Sequence, residues 1–261
     1  MANNGGMPPA HPFSLTGKSA LVTGGGTGIG LAIAKAFAAA GATVIITGRR
    51  DEVLRGACVE IGESASYRVC DVADAAEVAA LIASIEEGDG IALDILVNNA
   101  GVNLKKPTIG LTDEEFERVV RINLNGVFTM TREVIRRMLP RGRGVILNIG
   151  SMAAIYGLPK VAAYTAAKTA VVGLTRSLAT ELGASGLRVN TISPGFIHSE
   201  MTAKTLDSDP ERKRRVLERT PMGRMGEAGE IGTAAVFLCS DAASFITGVE
   251  LPVDGGNSIG F

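Results

Sequence analysis

From Ser19 onward the chain alternates between two apolar rhythms. Short runs rich in β-branched residues read as strands: "ALVTG", "TVIITG", "YRVCDV", "DILVNNAG", "GVILNIGS", "LRVNTISPG" and "VELPVDGG". Between most of them lie helix-length segments with apolar residues three and four apart. Examples are "GLAIAKAFAAAG", "DAAEVAALIASIEEG" and "TDEEFERVVRINLNGVFTMTREVIRRMLP". Thr112 starts the last of these as an N-cap, with Asp113, Glu114 and Glu115 in the first turn. Strand alternating with helix predicts a doubly wound α/β fold, a parallel sheet covered on both faces. No repeat or long linker interrupts the pattern, so residues 13–261 are expected to form one domain behind a flexible tail at 1–12.

Composition narrows the function classes. Apolar residues make up 46% of the chain and charged residues 20%, as in a globular protein. A net charge of −1 offers no basic excess for nucleic acid or an anionic membrane, and with no Trp and three Tyr base-stacking platforms are scarce. Cys58, Cys70 and Cys239 are too few and too far apart for a disulfide framework, and with His11 and His198 they make no metal-ligand cluster. "MANNGGMPPAHP" lacks the basic start and apolar run of a signal peptide, and no apolar run reaches the ~18 residues of a membrane span. A cytoplasmic location is the expectation.

"KSALVTGGGTGIGLAIAKAF" passes from a strand through a glycine-rich turn into a helix. Gly24, Gly28 and Gly30 allow a sharp turn and a close ligand approach, and Ile29 sits between the last two. The helix start offers free N–H groups and a positive dipole end to a pyrophosphate. The spacing is T-G-x-x-x-G-I-G rather than G-x-G-x-x-G. The second strand ends at Gly48 without the acid that would hold an adenosine ribose, and Arg49 follows it instead. A guanidinium there suits a 2′-phosphate, so NADP(H) is expected to be preferred, with NAD(H) possible. A pair of solvated arginines at a helix start is the other reading of Arg49 and Arg50.

"KVAAYTAAKTAVVG" places Tyr164 and Lys168 four residues apart, on one face of a helix of small residues. Alone this pair is unspecific. With Ser151 after the fifth strand, "NNAG" at 98–101, Asn123 in "INLNG", "CDV", "SPG" and "VDGG", the chain resembles the short-chain dehydrogenase/reductase family from about Phe13 onward. The resemblance implies a Rossmann-like sheet of about seven strands. It implies Tyr164 as the general acid or base, Lys168 as its charged neighbour and nicotinamide-ribose ligand, Ser151 as donor to the substrate oxygen, and Asn123 as holder of a relay water. To act as a base at neutral pH, a phenol must fall about three units from its free value near 10, roughly 4 kcal/mol, which a nearby ammonium could supply. The resemblance also implies cofactor contacts from Asp71, Val72, Asn98, Ala100, Gly101, Pro194, Gly195, Ile197 and Ser199, the last replacing a more usual Thr. A homotetramer is implied as well.

Substrate contacts are expected from "GVNLKKP" with Lys105, from Ser151, and from "MAAIYG" with Tyr156. A charged segment at 198–226, interrupted by Pro210 and Pro221, reads either as a substrate lid or as a solvated helical excursion. "AGVNLKKP" and "RTPMGRMGEAGEI" are similar to the branch of sugar-acid and polyol dehydrogenases that includes gluconate 5-dehydrogenase. A 3-oxoacyl-carrier-protein reductase shares the same motifs and remains open. A non-catalytic cofactor-binding scaffold is disfavoured by the complete Asn–Ser–Tyr–Lys set.

Overall fold

The computed structural model describes residues 11–198 and 210–260. The expectations placed on 1–10, Ser199 and 199–209 lie outside the described residues. The strand runs become β1 (Ser19–Thr23), β2 (Thr43–Gly48), β3 (Ala65–Val69), β4 (Ile95–Asn98), β5 (Gly144–Ile149), β6 (Leu187–Pro194) and β7 (Glu250–Val253). They form a sheet of order β3-β2-β1-β4-β5-β6-β7 in which every pairing is parallel. β1, β2, β4, β5 and β6 are almost wholly buried, as a doubly covered parallel sheet demands. β3 and β7 are the partly open edges, and Pro252, which has no N–H to give, sits in the latter.

Strand parity assigns the core. Ala20, Val22, Val44, Ile46, Ile95, Val97, Val145 and Leu147 face one layer, packed with Ile33 and Phe37 of α1 (Gly28–Ala39) and Ile231 and Ala235 of a helix at Ala228–Cys239. The alternate residues Leu21, Ile45, Leu96 and Ile146 face the other, with Val78 and Leu81 of α3 (Ala75–Ala83) and Met130 and Val134 of α5 (Gly126–Met138). α2 (Asp51–Ile61), α4 (Asp113–Val120), α6 (Ala162–Leu182), α7 (Pro210–Arg219) and α8, the helix at Ala228–Cys239, complete the succession. The Thr112 cap is a full capping box with Glu115.

The long helix over 112–140 is interrupted by a π-helical turn at Arg121–Asn125 between α4 and α5. The inserted turn resets the helix so that Asn123, wholly buried, reaches the segment after β4.

α1 and α8 approach closely because Gly232 lies between them: a Cβ there would stand 2.9 Å from the Ala32 carbonyl oxygen and 3.0 Å from the Ala36 Cβ. Gly232→Val should therefore cost about 1–3 kcal/mol by overpacking. The check is a lower urea midpoint at unchanged denaturant slope.

Candidate functional site

The strands leave β1 in opposite directions, β2 to one side and β4 to the other, which opens a crevice beyond their carboxyl ends. A cleft of about 1210 Å³ lies there. It is lined in turn by the segments after successive strands, including Gly24, Arg49, Asp71, Ala100, Ser151 and Gly195.

The glycine turn after β1 is shaped around that cleft. Gly24 has φ +64°, and a Cβ on it would stand 2.9 Å from Asn99 Nδ2 and 3.0 Å from Ala100 Cα. Gly28 has φ +54° with open space where a Cβ would be, and it lines the cleft with Ile29. Gly30 does not line it: a Cβ there would lie 2.3 Å from the Gly24 carbonyl oxygen, so this glycine lets the helix sit against the turn. α1 has no side-chain cap from Thr27 and no acid in its first turn. Its leading N–H groups are thus offered to an anion in the cleft, and a dinucleotide pyrophosphate fits. Arg49 and Arg50 line the same region. The Arg49 guanidinium is 65% exposed and lies 3.9 Å from Asp71, too loosely held to be committed to it. Val72 also lines the cleft.

Asn98 is placed elsewhere than the sequence reading expects. It is buried, and its Nδ2 donates to Thr131 Oγ1 at 2.8 Å and to Asn148 Oδ1 at 2.9 Å, beneath α5 and away from the cleft. Its parity in β4 matches Leu96, which faces that same layer, so alternation along the strand was the signal that could have found this. Asn99 takes the cleft position. Its Nδ2 donates to the carbonyls of Thr23 and Gly24 at 2.9 and 3.2 Å, while its backbone N–H and that of Ala100 donate to Thr23 Oγ1 at 3.0 Å each. Gly101, Pro194, Gly195 and Ile197 line the cleft as well.

Ser151 and Tyr164 both line the cleft. Ser151 caps the short turn that comes after it, its Oγ accepting from the Ala153 N–H at 3.1 Å. Burial pushes the Tyr164 phenol up from its ordinary value, and a hydrogen bond with the Ser151 side chain opposes the rise. The sequence reading has Lys168 pulling the phenol down, whereas burial is the larger cause in the structure and leaves the phenol raised. Lys168 is buried behind the tyrosine, with Nζ 5.7 Å from the ring centroid and donating to the Ile149 carbonyl at 2.6 Å. Its own burial lowers it to about 8. Asn123 is likewise behind the cleft wall. Its Nδ2 donates to the carbonyls of Val102 and Val119 at 2.8 and 2.9 Å, and its Oδ1 accepts from the Val102 N–H at 3.2 Å. One amide proton thus holds the strand-end segment at Val102 and the other holds α4 at Val119.

Lys105 lines the cleft, whereas Lys106 is turned to Glu115 at 2.7 and 3.0 Å. Tyr156 lines it from the loop after β5. The charged segment contributes α7, whose Arg212, Arg215, Val216 and Arg219 face the same space, as does His198. Asn257, which the sequence reading did not single out, reaches it from beyond β7. No helix among the described residues is long and apolar enough to cross a membrane, and none of their His, Cys, Asp and Glu side chains cluster as metal ligands.

A protein-family profile described as enoyl-(acyl carrier protein) reductase matches residues 24–258. Galactitol 2-dehydrogenase (L-tagatose-forming) of Cereibacter sphaeroides is 42% identical over 250 residues, covering 95% of this chain and 97% of that protein. Gluconate 5-dehydrogenase of Gluconobacter oxydans is 42% identical over 255 residues, covering 96% and 99%. The crystal structure of a gluconate 5-dehydrogenase from Burkholderia cenocepacia in complex with NADP and tartrate superposes with a TM-score of 0.90 at 37% identity, covering 96% and 98%. With likeness running the length of both fold and sequence, the chain belongs to the short-chain dehydrogenase/reductase family, oxidoreductases that use a nicotinamide cofactor on alcohol and keto groups.

Proposed function

We propose that the protein is an NADP(H)-preferring dehydrogenase that interconverts a secondary alcohol and a carbonyl on a keto sugar acid or polyol. The observation that carries the reading is the convergence of Ser151 and Tyr164 on the cleft wall with Lys168 directly behind them. The names of the relatives support the substrate range. The three free cysteines fit work in a reducing compartment such as the cytoplasm.

When bound, the nicotinamide supplies or accepts the hydride. The chain's residues handle the proton and the charge. Ser151 donates a hydrogen bond to the substrate oxygen, where negative charge develops during reduction. Tyr164, kept neutral by its burial, is in the form that delivers a proton to that oxygen. Lys168 stabilises the phenolate left behind, and its charge matters most because so little water reaches it. Asn123 fixes the segment around Val102 that forms the floor beside them. On the adenosine side, Arg49 is the group that meets the 2′-phosphate, a contact stronger than its long approach to Asp71.

Turnover of NADPH with a panel of ketones and keto acids tests the reading, and Tyr164→Phe should abolish it while leaving cofactor binding intact. Substantial activity in that variant would remove Tyr164 from the chemistry. Lys168 carries its charge below a pKa of about 8, so carbonyl reduction should be level below that pH and fall above it. A rate that stays level to about pH 10 would show that the ammonium is not needed. Arg49→Gln should lower the NADPH-over-NADH ratio of kcat/KM by about tenfold, the loss of one charge-assisted contact. An unchanged ratio would sink the cofactor preference.

A further inference from the structure

We propose that the cleft-facing side of α7 is a carboxylate receptor with Arg219 as its binding residue, so that the substrate is a sugar acid and not a neutral polyol. This rests on the sugar-acid-or-polyol reading above and chooses between its halves.

The first observation is the pattern of α7 itself, "PERKRRVLER". Arg212, Arg215, Val216 and Arg219 are spaced by three, one and three residues, which is one helical face, and all four line the cleft. Of its acids, Glu218 holds Arg214 at 2.8 Å and Glu211 pairs with Arg215 at 4.0 Å, and neither pairs with Arg219. A helix merely solvated by charge would mix signs on both faces. The residues of this one that line the cleft include no acid.

The second observation is that Arg219 is held in place by neutral groups. Its guanidinium stacks 4.3 Å from the ring centroid of Tyr156, and its Nε donates to the Asn257 carbonyl at 2.9 Å. Asn257 is wholly buried and braces both partners. Its Oδ1 accepts from the Tyr156 hydroxyl at 2.5 Å, and its Nδ2 donates to Thr220 Oγ1 at 2.8 Å and the Val216 carbonyl at 3.3 Å. No carboxylate among the described residues pairs with Arg219. With Nε and one ring face engaged, the two terminal nitrogens form the edge that matches a planar carboxylate. The ordering cost of the side chain is met before a ligand arrives.

The third observation is the charge of the surrounding wall. Lys105 and Lys160 line the same cleft, and Asp71, beside Arg49, is the one acid among its described lining residues. Lys160 has a left-handed backbone, φ 67°, with its carbonyl accepting from the Lys106 N–H at 2.7 Å. That bond joins the two loops that carry Lys105 and Lys160. A neutral polyol would gain nothing from this concentration of positive charge, whereas an anion would be drawn in and oriented.

The test is a binding measurement, independent of turnover. Tartrate and its uncharged counterpart threitol are titrated calorimetrically into the full chain saturated with NADP. Tartrate should bind at least about tenfold more tightly, and added salt should weaken tartrate alone. Arg219→Gln should erase most of that discrimination, and Arg219→Lys should restore part of it. Equal affinities in the wild type, tartrate binding that ignores salt, or no tartrate binding would each overturn the proposal. So would a discrimination ratio unchanged by Arg219→Gln. Inorganic phosphate displacing tartrate with higher affinity would overturn the carboxylate assignment. Loss of NADPH turnover on every carbonyl, by contrast, would strike the catalytic reading and leave this binding result standing.

Discussion

The central strands of the parallel sheet are buried on both faces and leave only their ends free, and this constraint governs the rest of the molecule. Every aliphatic residue of β1, β2, β4 and β5 is committed to one helical layer or the other. Chemistry must therefore be done by the segments at the carboxyl ends of the strands. The crevice forms beside β1 because its two neighbours carry the chain in opposite directions. The glycine turn, Arg49, Asp71, Asn99, Ser151 and Gly195 are then neighbours in space although they are spread along the chain.

Behind the cleft wall, the structure keeps polar groups in places where water does not reach. Lys168 is the extreme case: an ammonium inside the fold whose one hydrogen bond among the described residues is to a strand-end carbonyl. Its burial lowers its own proton affinity, and burial of the phenol beside it raises that group's. Both shifts come from exclusion of water, and the same exclusion strengthens each charge the reaction creates. A site of this kind is costly to fold and is maintained by the packing of the sheet around it.

Much of this was legible in the sequence because it came from periodicity. The seven strand runs and the glycine turn appear where alternation and spacing put them. The π-helical turn at Arg121–Asn125 was not legible, since an inserted turn leaves the apolar spacing of a helix almost unchanged. Asn98 is easily misplaced because the motif "NNAG" presents two asparagines side by side, while strand parity sends them to opposite sides. Asn257 could not be found from local pattern at all. Its partners, Tyr156, Val216, Arg219 and Thr220, meet it only in three dimensions. Lys105 and Lys106 illustrate the same limit: adjacent and identical, they differ because Glu115 claims one of them.

The buried position of Asn98 has a consequence for how the chain finds its fold. Asn98 pairs with Asn148 across β4 and β5, and Asn148 pairs with Thr191 across β5 and β6. Thr131 closes the row from α5, and Thr175 from α6 donates to the Val171 carbonyl while meeting both Asn148 and Thr191. Aliphatic strands are interchangeable under a slip of two residues, because every side chain returns to the face it left. This row is not. A two-residue slip would set an amide against an aliphatic side chain and leave its donors unanswered in a dry interior. Hydrophobicity therefore tells each strand which way up to lie, and the polar row tells it where to stop.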